Sequence, residues 1–324
     1  MNKIKNTFIP GIMTSLLIIL GIIGWAQPAQ AQGNPDEAQK MKMLQEMAPY
    51  KGYLKAHMNI PPQELLGGPL EVEITQKSGG VFVILPSKRK LDPYVFGTPQ
   101  VPRALAGTPG INGLPPGVRG INNGQYTEME KPSPFGDKNI VMGNGKLDIK
   151  AVDATATDAG KTNDEIKFMA SWQDKQGNTY EVRCCGMLAA HGVEYPTFGG
   201  VVTNTVMHGS SRIGTALMPT MYTYFAFWGM GEIRKNGDVL DKPRLVHGML
   251  TEYVRKKDYE LAFDDEVTPT RKHFHLMVPP MRPEMKEQKF VHEDVKTGFK
   301  LPNGMELPFW HVMFENLEID ADRR

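Results

Sequence analysis

Polar and apolar positions alternate along most of the second half of the chain. Period-2 patterns run through "GKLDIKAVDA", "DEIKFMASWQ", "TYEVRCCGML", "RLVHGMLTEYVR", "KHFHLMV", "KFVHEDV" and "ELPFWHVMFENLEI". Alternate residues of a strand share a face, so this reads as half-buried β-strands. Asp174–Asn178 and Asn236-Gly237 supply the Gly and Asn that hairpin connections need. Short strands at near-regular spacing predict a mainly β fold over 138–324: an antiparallel β-sandwich or barrel-like domain. Tyr222–Trp228 is apolar on both faces and predicts a strand buried on both sides.

The first half is less regular. Asn34-Pro35-Asp36-Glu37 reads as a helix start, and Met41, Leu44 and Met47 follow at helical spacing, giving a short N-terminal helical segment within 32–68. Residues 69–91 read as a β-hairpin joining the main domain, with Ser78-Gly79-Gly80 as its turn. Residues 92–137 hold eight Pro and eight Gly and show no apolar period, which predicts an extended loop wrapped on the surface.

At the N-terminus, Lys3 and Lys5 precede an apolar run centred on Ser15–Ala26, and Ala29 and Ala31 occupy the small-residue positions of a cleavage site. That pattern predicts a signal peptide over 1–31 and a periplasmic or extracellular mature chain. Without Lys3 and Lys5 the count falls from 37 basic against 36 acidic residues to 35 against 36. Such a balance offers no field for nucleic acid. No later run is long and apolar enough to be a transmembrane helix.

Cys184 and Cys185 are the only cysteines. They read as two buried small hydrophobes, a vicinal or intermolecular disulfide, or soft-metal ligands. No C-x-x-C-H attaches haem, and no phosphate-binding glycine loop sits between a strand and a helix to receive a nucleotide.

Three candidate chemistries remain. His247/Met249, His275/Met277 and His311/Met313 each place an imidazole and a thioether on one strand face, and His273 makes an H-x-H with His275. Imidazole with thioether suits copper, so His247, His273, His275, Met277 and His311 form the candidate metal set. Tyr222, Tyr224 and Trp228 are the candidate wall of a ligand cavity, against the plainer reading of a core strand. His191, with Glu194 and Tyr195, and His208 beside Ser210 are the candidate acid–base and nucleophilic groups of a hydrolase or lyase. Asp264 or Glu266 is the distant acid that would complete a triad. The leading expectation is an exported, non-catalytic binding or accessory protein for a small apolar ligand or an envelope partner. A His/Met copper-binding protein and a periplasmic hydrolase using the 191–211 loops are the alternatives.

Overall fold

The computed structural model describes residues 50–63, 65, 70–103, 119–129, 133–154, 163–185, 200–284 and 289–323. The expected signal peptide and the predicted 34–47 helix lie outside these residues.

Among the described residues the chain forms two short helices, α1 (Lys51–Ala56) and α2 (Pro93–Phe96). Its strands are β1 (Leu70–Gln76), β2 (Val81–Ile84), β3 (Arg119–Asn122), β4 (Gln125–Met129), β5 (Asn139–Asp153), β6 (Glu165–Gln173), β7 (Thr179–Cys184) and β8 (Gly200–Met207). They continue with β9 (Met221–Lys235), β10 (Asp238–Tyr253), β11 (Thr268–Val278), β12 (Met281–Glu284), β13 (Lys289–His292), β14 (Trp310–Phe314) and β15 (Glu318–Arg323). Eight of them close an antiparallel barrel in the order β5-β2-β14-β11-β10-β9-β7-β6, with β6 returning to β5. The predicted β fold is therefore a barrel, and both predicted hairpin connections join neighbouring strands, β6 to β7 and β9 to β10.

Alternation fills the barrel. Val83, Ile149, Phe168, Trp172, Val182, Phe227, Leu250, Phe274, Leu276, Trp310 and Phe314 belong to one buried cluster. Trp172 meets Trp310 edge to face with ring centroids 4.9 Å apart. Such pairs add about 0.5–1.5 kcal/mol each beyond burial. Phe299, from the segment between β13 and β14, packs on Tyr180 and Trp310 at 5.7 and 5.9 Å and joins the same cluster.

The expected hairpin at 69–91 is not one. β1 and β2 are both strands, but each pairs with β5 and neither pairs with the other. β1 follows β5 from Asp153 down to Leu147, and β2 continues from Met142 to Asn139. The two are one line interrupted by a kink. β5 kinks at the same level, where Asn144 has φ of 47° and Gly145 packs against Val81 so closely that a Cβ would lie 1.9 Å from its side chain. The glycines of 79–80 bend the strand rather than reverse it, so that both halves stay paired with β5 while β15 flanks β1 and β14 flanks β2.

Among its described residues the 92–137 segment is more structured than its composition suggests. It contains α2, capped by Asp92 accepting from Tyr94 N–H at 2.7 Å, and the β3–β4 pair. Arg119 ties that pair down, donating to Phe96 O at 2.7 Å and to Arg103 O at 2.8 Å.

Candidate functional site

Three adjacent strands, β10, β11 and β14, turn the His-x-Met faces outward from the barrel. Antiparallel register then sets each histidine opposite a methionine. One row runs Trp228, His247, Met277, His311 and the next runs Ala226, Met249, His275, Met313. Thr251 faces His273 in a third. The candidate metal residues are thus brought onto one face, in a His/Met chequerboard. Among the described residues no three His, Cys, Asp or Glu side chains form a metal-holding group. Any soft site here needs a thioether.

Chain from two loops covers the face. Pro134 and Phe135 lie over its β14 side: His311 Nδ1 donates to Pro134 O at 2.6 Å, and Phe135 meets the His311 ring edge on. The 208–217 loop covers the β9–β10 side, with Ile213 packed on Val202, Ala226, Trp228 and Met249. His208 drops from this loop onto the sheet.

Backbone carbonyls fix the tautomers, because a carbonyl only accepts. His208 Nδ1 donates to Thr215 O at 3.1 Å and His247 Nδ1 to Phe227 O at 2.8 Å. In His208, His247 and His311 the neutral ring therefore carries its proton on Nδ1 and bares Nε2. Burial keeps these rings uncharged, pushing His208 down to about 4 and His247 and His311 to about 3. His275 is also held well below its ordinary value by burial and by His273 beside it. A histidine whose Nδ1 is anchored and whose Nε2 is free is arranged as metal-ligating histidines are.

His273 differs. Its Nε2 accepts from Val254 N–H at 3.3 Å and its Nδ1 faces Glu315 Oε1 at 3.4 Å, so both nitrogens are used structurally.

The closest soft pair joins a residue expected for catalysis to one expected for metal. His208 Nε2 lies 3.2 Å from Met249 Sδ. Neither atom carries a proton in the neutral ring, so two lone-pair bearers face each other. A cation between them relieves that contact, and burial disfavours the proton as that cation. His247, partly exposed and stacked on Trp228 at 4.4 Å, has its ring centroid 6.5 Å from that of His208. The sequence places His208 beside Ser210 among the acid–base candidates and not in the metal set. A loop returning 41 residues away onto β10 leaves no local signal.

The catalytic candidates are not brought together. Neither ring nitrogen of His208 is bonded to Ser210, whose N–H donates to Thr220 Oγ1 at 2.7 Å. Asp264 is engaged by Thr220, through N–H and Oγ1 at 2.7 Å each, and by Asp92, which accepts from its N–H at 2.5 Å. Burial and the neighbouring Asp92 raise the Asp264 carboxyl well above the usual range. His191 lies outside the described residues. A second buried pair had no sequence signal: His57 Nε2 lies 2.5 Å from Glu252 Oε1, and His57 Nδ1 donates to Tyr53 O at 2.7 Å. Glu252 Oε2 also accepts from Tyr222 N–H at 2.9 Å. This pair ties α1 to the end of β10.

Tyr222 and Tyr224 lie in the barrel's buried cluster with rings 5.0 Å apart, while Trp228 is on the outer face. The three do not line a common wall. A groove of about 980 Å³ opens instead on the outside of the barrel across β5, β6, β7, β9 and the start of β10. Cys184 and Cys185, bonded to each other, lie in it with Met169, Met230, Lys167 and Arg183. No family model, curated protein or solved structure matches this chain.

Proposed function

We propose that this chain is an exported, non-catalytic binding protein, and that it binds a soft metal ion, monovalent copper, through imidazole and thioether. The observation that carries the reading is the pair of proton-free donors, His208 Nε2 and Met249 Sδ, 3.2 Å apart. His247 is the third donor, reached from the partly exposed side of the face. Copper(I) fits this set because thioether sulfur is soft and imidazole accepts copper in either oxidation state. The expected signal peptide accords with handling such an ion outside the cytoplasm. The apolar-ligand form of the binding reading lacks room inside the barrel, where aromatic and aliphatic side chains occupy the interior.

The test is anaerobic titration of the full chain with Cu(I) against a chromophoric Cu(I) chelator, with the cysteines kept oxidised. One Cu(I) per chain is expected. Met249→Leu, which conserves volume, and His208→Gln should each weaken binding at least about tenfold. Unchanged affinity in both variants overturns the reading.

A further inference from the structure

The groove on the outer wall collects sulfur. Its lining holds both cysteines of the chain and two methionines, Met169 on β6 and Met230 on β9. The thioether-bearing side chains are 36 % and 40 % exposed, unlike Met207, Met221 and Met313, which are fully buried. Met169 and Met230 are therefore open to solvent on the groove side. Strand pairing explains why the sulfur-bearing residues share this groove, Cys184 at its floor against the barrel core. Met169 opposes Arg183, Arg183 opposes Glu232, and Cys184 and Cys185 follow Arg183 directly, so β6, β7 and β9 deliver them to one patch. Gly231 allows the close approach: a Cβ there would lie 2.3 Å from Arg183 O and 3.0 Å from Cys184 Cβ.

We infer that this groove is a second soft-metal site, opened and closed by the redox state of Cys184 and Cys185. In the disulfide form neither sulfur is a thiolate, and the groove offers only two thioethers. Exchange with an external dithiol passes two electrons and two protons to the pair, breaking the S–S bond and leaving the donor as its own disulfide. The two thiols then bind one Cu(I), forming two Cu–S bonds and releasing two protons, with Met169 and Met230 as further donors. The choice of copper as the ion rests on the function proposed above; the soft-sulfur chemistry of the groove stands on its own lining. The position also suits delivery. Met230, Trp228 and Ala226 follow one another on the outward side of β9, and Trp228 stacks on His247. Met230 thus lies two strand positions from the His/Met face, about 6.5–7 Å along the strand.

The test measures Cu(I) stoichiometry on the full chain in both redox states. Disulfide is reduced by an immobilised dithiol that is removed before titration. The reduced chain should hold two Cu(I), the oxidised chain one. Cys184→Ser with Cys185→Ser should hold one in either condition. Met169→Leu with Met230→Leu keeps the cysteines and should weaken the second equivalent at least tenfold, and it remains decisive should the serine variant misfold. Equal stoichiometry of reduced and oxidised wild type overturns the inference and leaves the His208–Met249 site standing. Retention of the reduced-only equivalent in His208→Gln/Met249→Leu, with loss of the other, separates the two sites. If the reduced-only equivalent alone is ever found, the groove stands and the function proposed for the His/Met face falls.

Discussion

Acid should destabilise this protein before its ordinary carboxylates are titrated. His208, His247 and His311 have folded-state values pushed down to about 4, 3 and 3 by burial. In the unfolded chain a histidine titrates near its ordinary 6.5. Because the folded value is depressed, each ring contributes stability that is fully present above pH 6.5 and is lost as pH falls toward the folded value. Between pH 6.5 and 5 the unfolded chain takes up protons that the folded chain refuses. Each fully buried ring then costs about 1.4 kcal/mol per pH unit, or about 2 kcal/mol over that span. His247 is partly exposed, so its share is discounted to about half. The three together remove about 5 kcal/mol, and His275 acts in the same direction. Asp264 opposes them: burial and the neighbouring Asp92 raise its carboxyl, so its protonation is favoured by acid. A net loss of several kcal/mol is a large part of the ~5–15 kcal/mol a domain has to lose. Urea unfolding followed by far-UV circular dichroism at pH 7, 6 and 5 should therefore show the midpoint falling steeply below pH 6.5. His311→Gln should flatten the fall, and Asp264→Asn should steepen it. A midpoint that stays level from pH 7 to 5 would refute the buried, neutral state of these rings.

Two further perturbations probe the packing beneath and beside the face. Gly248 points into the barrel, where a Cβ would lie 2.3 Å from Phe227 Cε1 and 2.6 Å from Phe274 Cζ; Gly248→Ala should cost about 1–3 kcal/mol by overpacking, read as a lower urea midpoint with unchanged slope. Glu252→Ala should cost about 3–5 kcal/mol by stranding His57 and Tyr222 N–H, whereas the Glu252→Gln amide keeps an oxygen for Tyr222 N–H and a polar group against His57, so it should cost much less. Equal losses in the two Glu252 variants would show that the carboxylate charge, not the hydrogen bonds an isosteric amide keeps, holds α1 to β10.

The strands were readable because each follows a two-residue period with one face in a core, and the hairpins because Asn236-Gly237 and Asp174–Asn178 have the chemistry of tight connections. Ser78-Gly79-Gly80 misled because the same residues serve a reversal and a kink. Local sequence does not distinguish them. The distinction lies 60 residues on, in β5, which is long enough at Asn139–Asp153 to pair with β1 and β2 in succession. The 92–137 segment misled for a related reason. Its order comes from distant groups, such as Asp92 accepting from Asp264 N–H and Arg255 donating to Gly136 O at 2.9 Å.

The candidate site divides along the same line. That His247, His275 and His311 share a face with their methionines follows from strand period alone. That those faces adjoin depends on β10, β11 and β14 being neighbours, which pattern does not specify. Most of all, the chemistry of a histidine is set by what its other nitrogen touches. His273 and His275 stand two residues apart on one strand and look equivalent as H-x-H. Val254 and Glu315 consume both nitrogens of the first. His208, set in a Gly/Ser turn and read as half of a nucleophile–base pair, instead anchors Nδ1 on Thr215 and turns a bare Nε2 to Met249. The exposed nitrogen of His208 is therefore set by the carbonyl behind the ring, Thr215 O, which comes from a loop whose own sequence carries no metal signature.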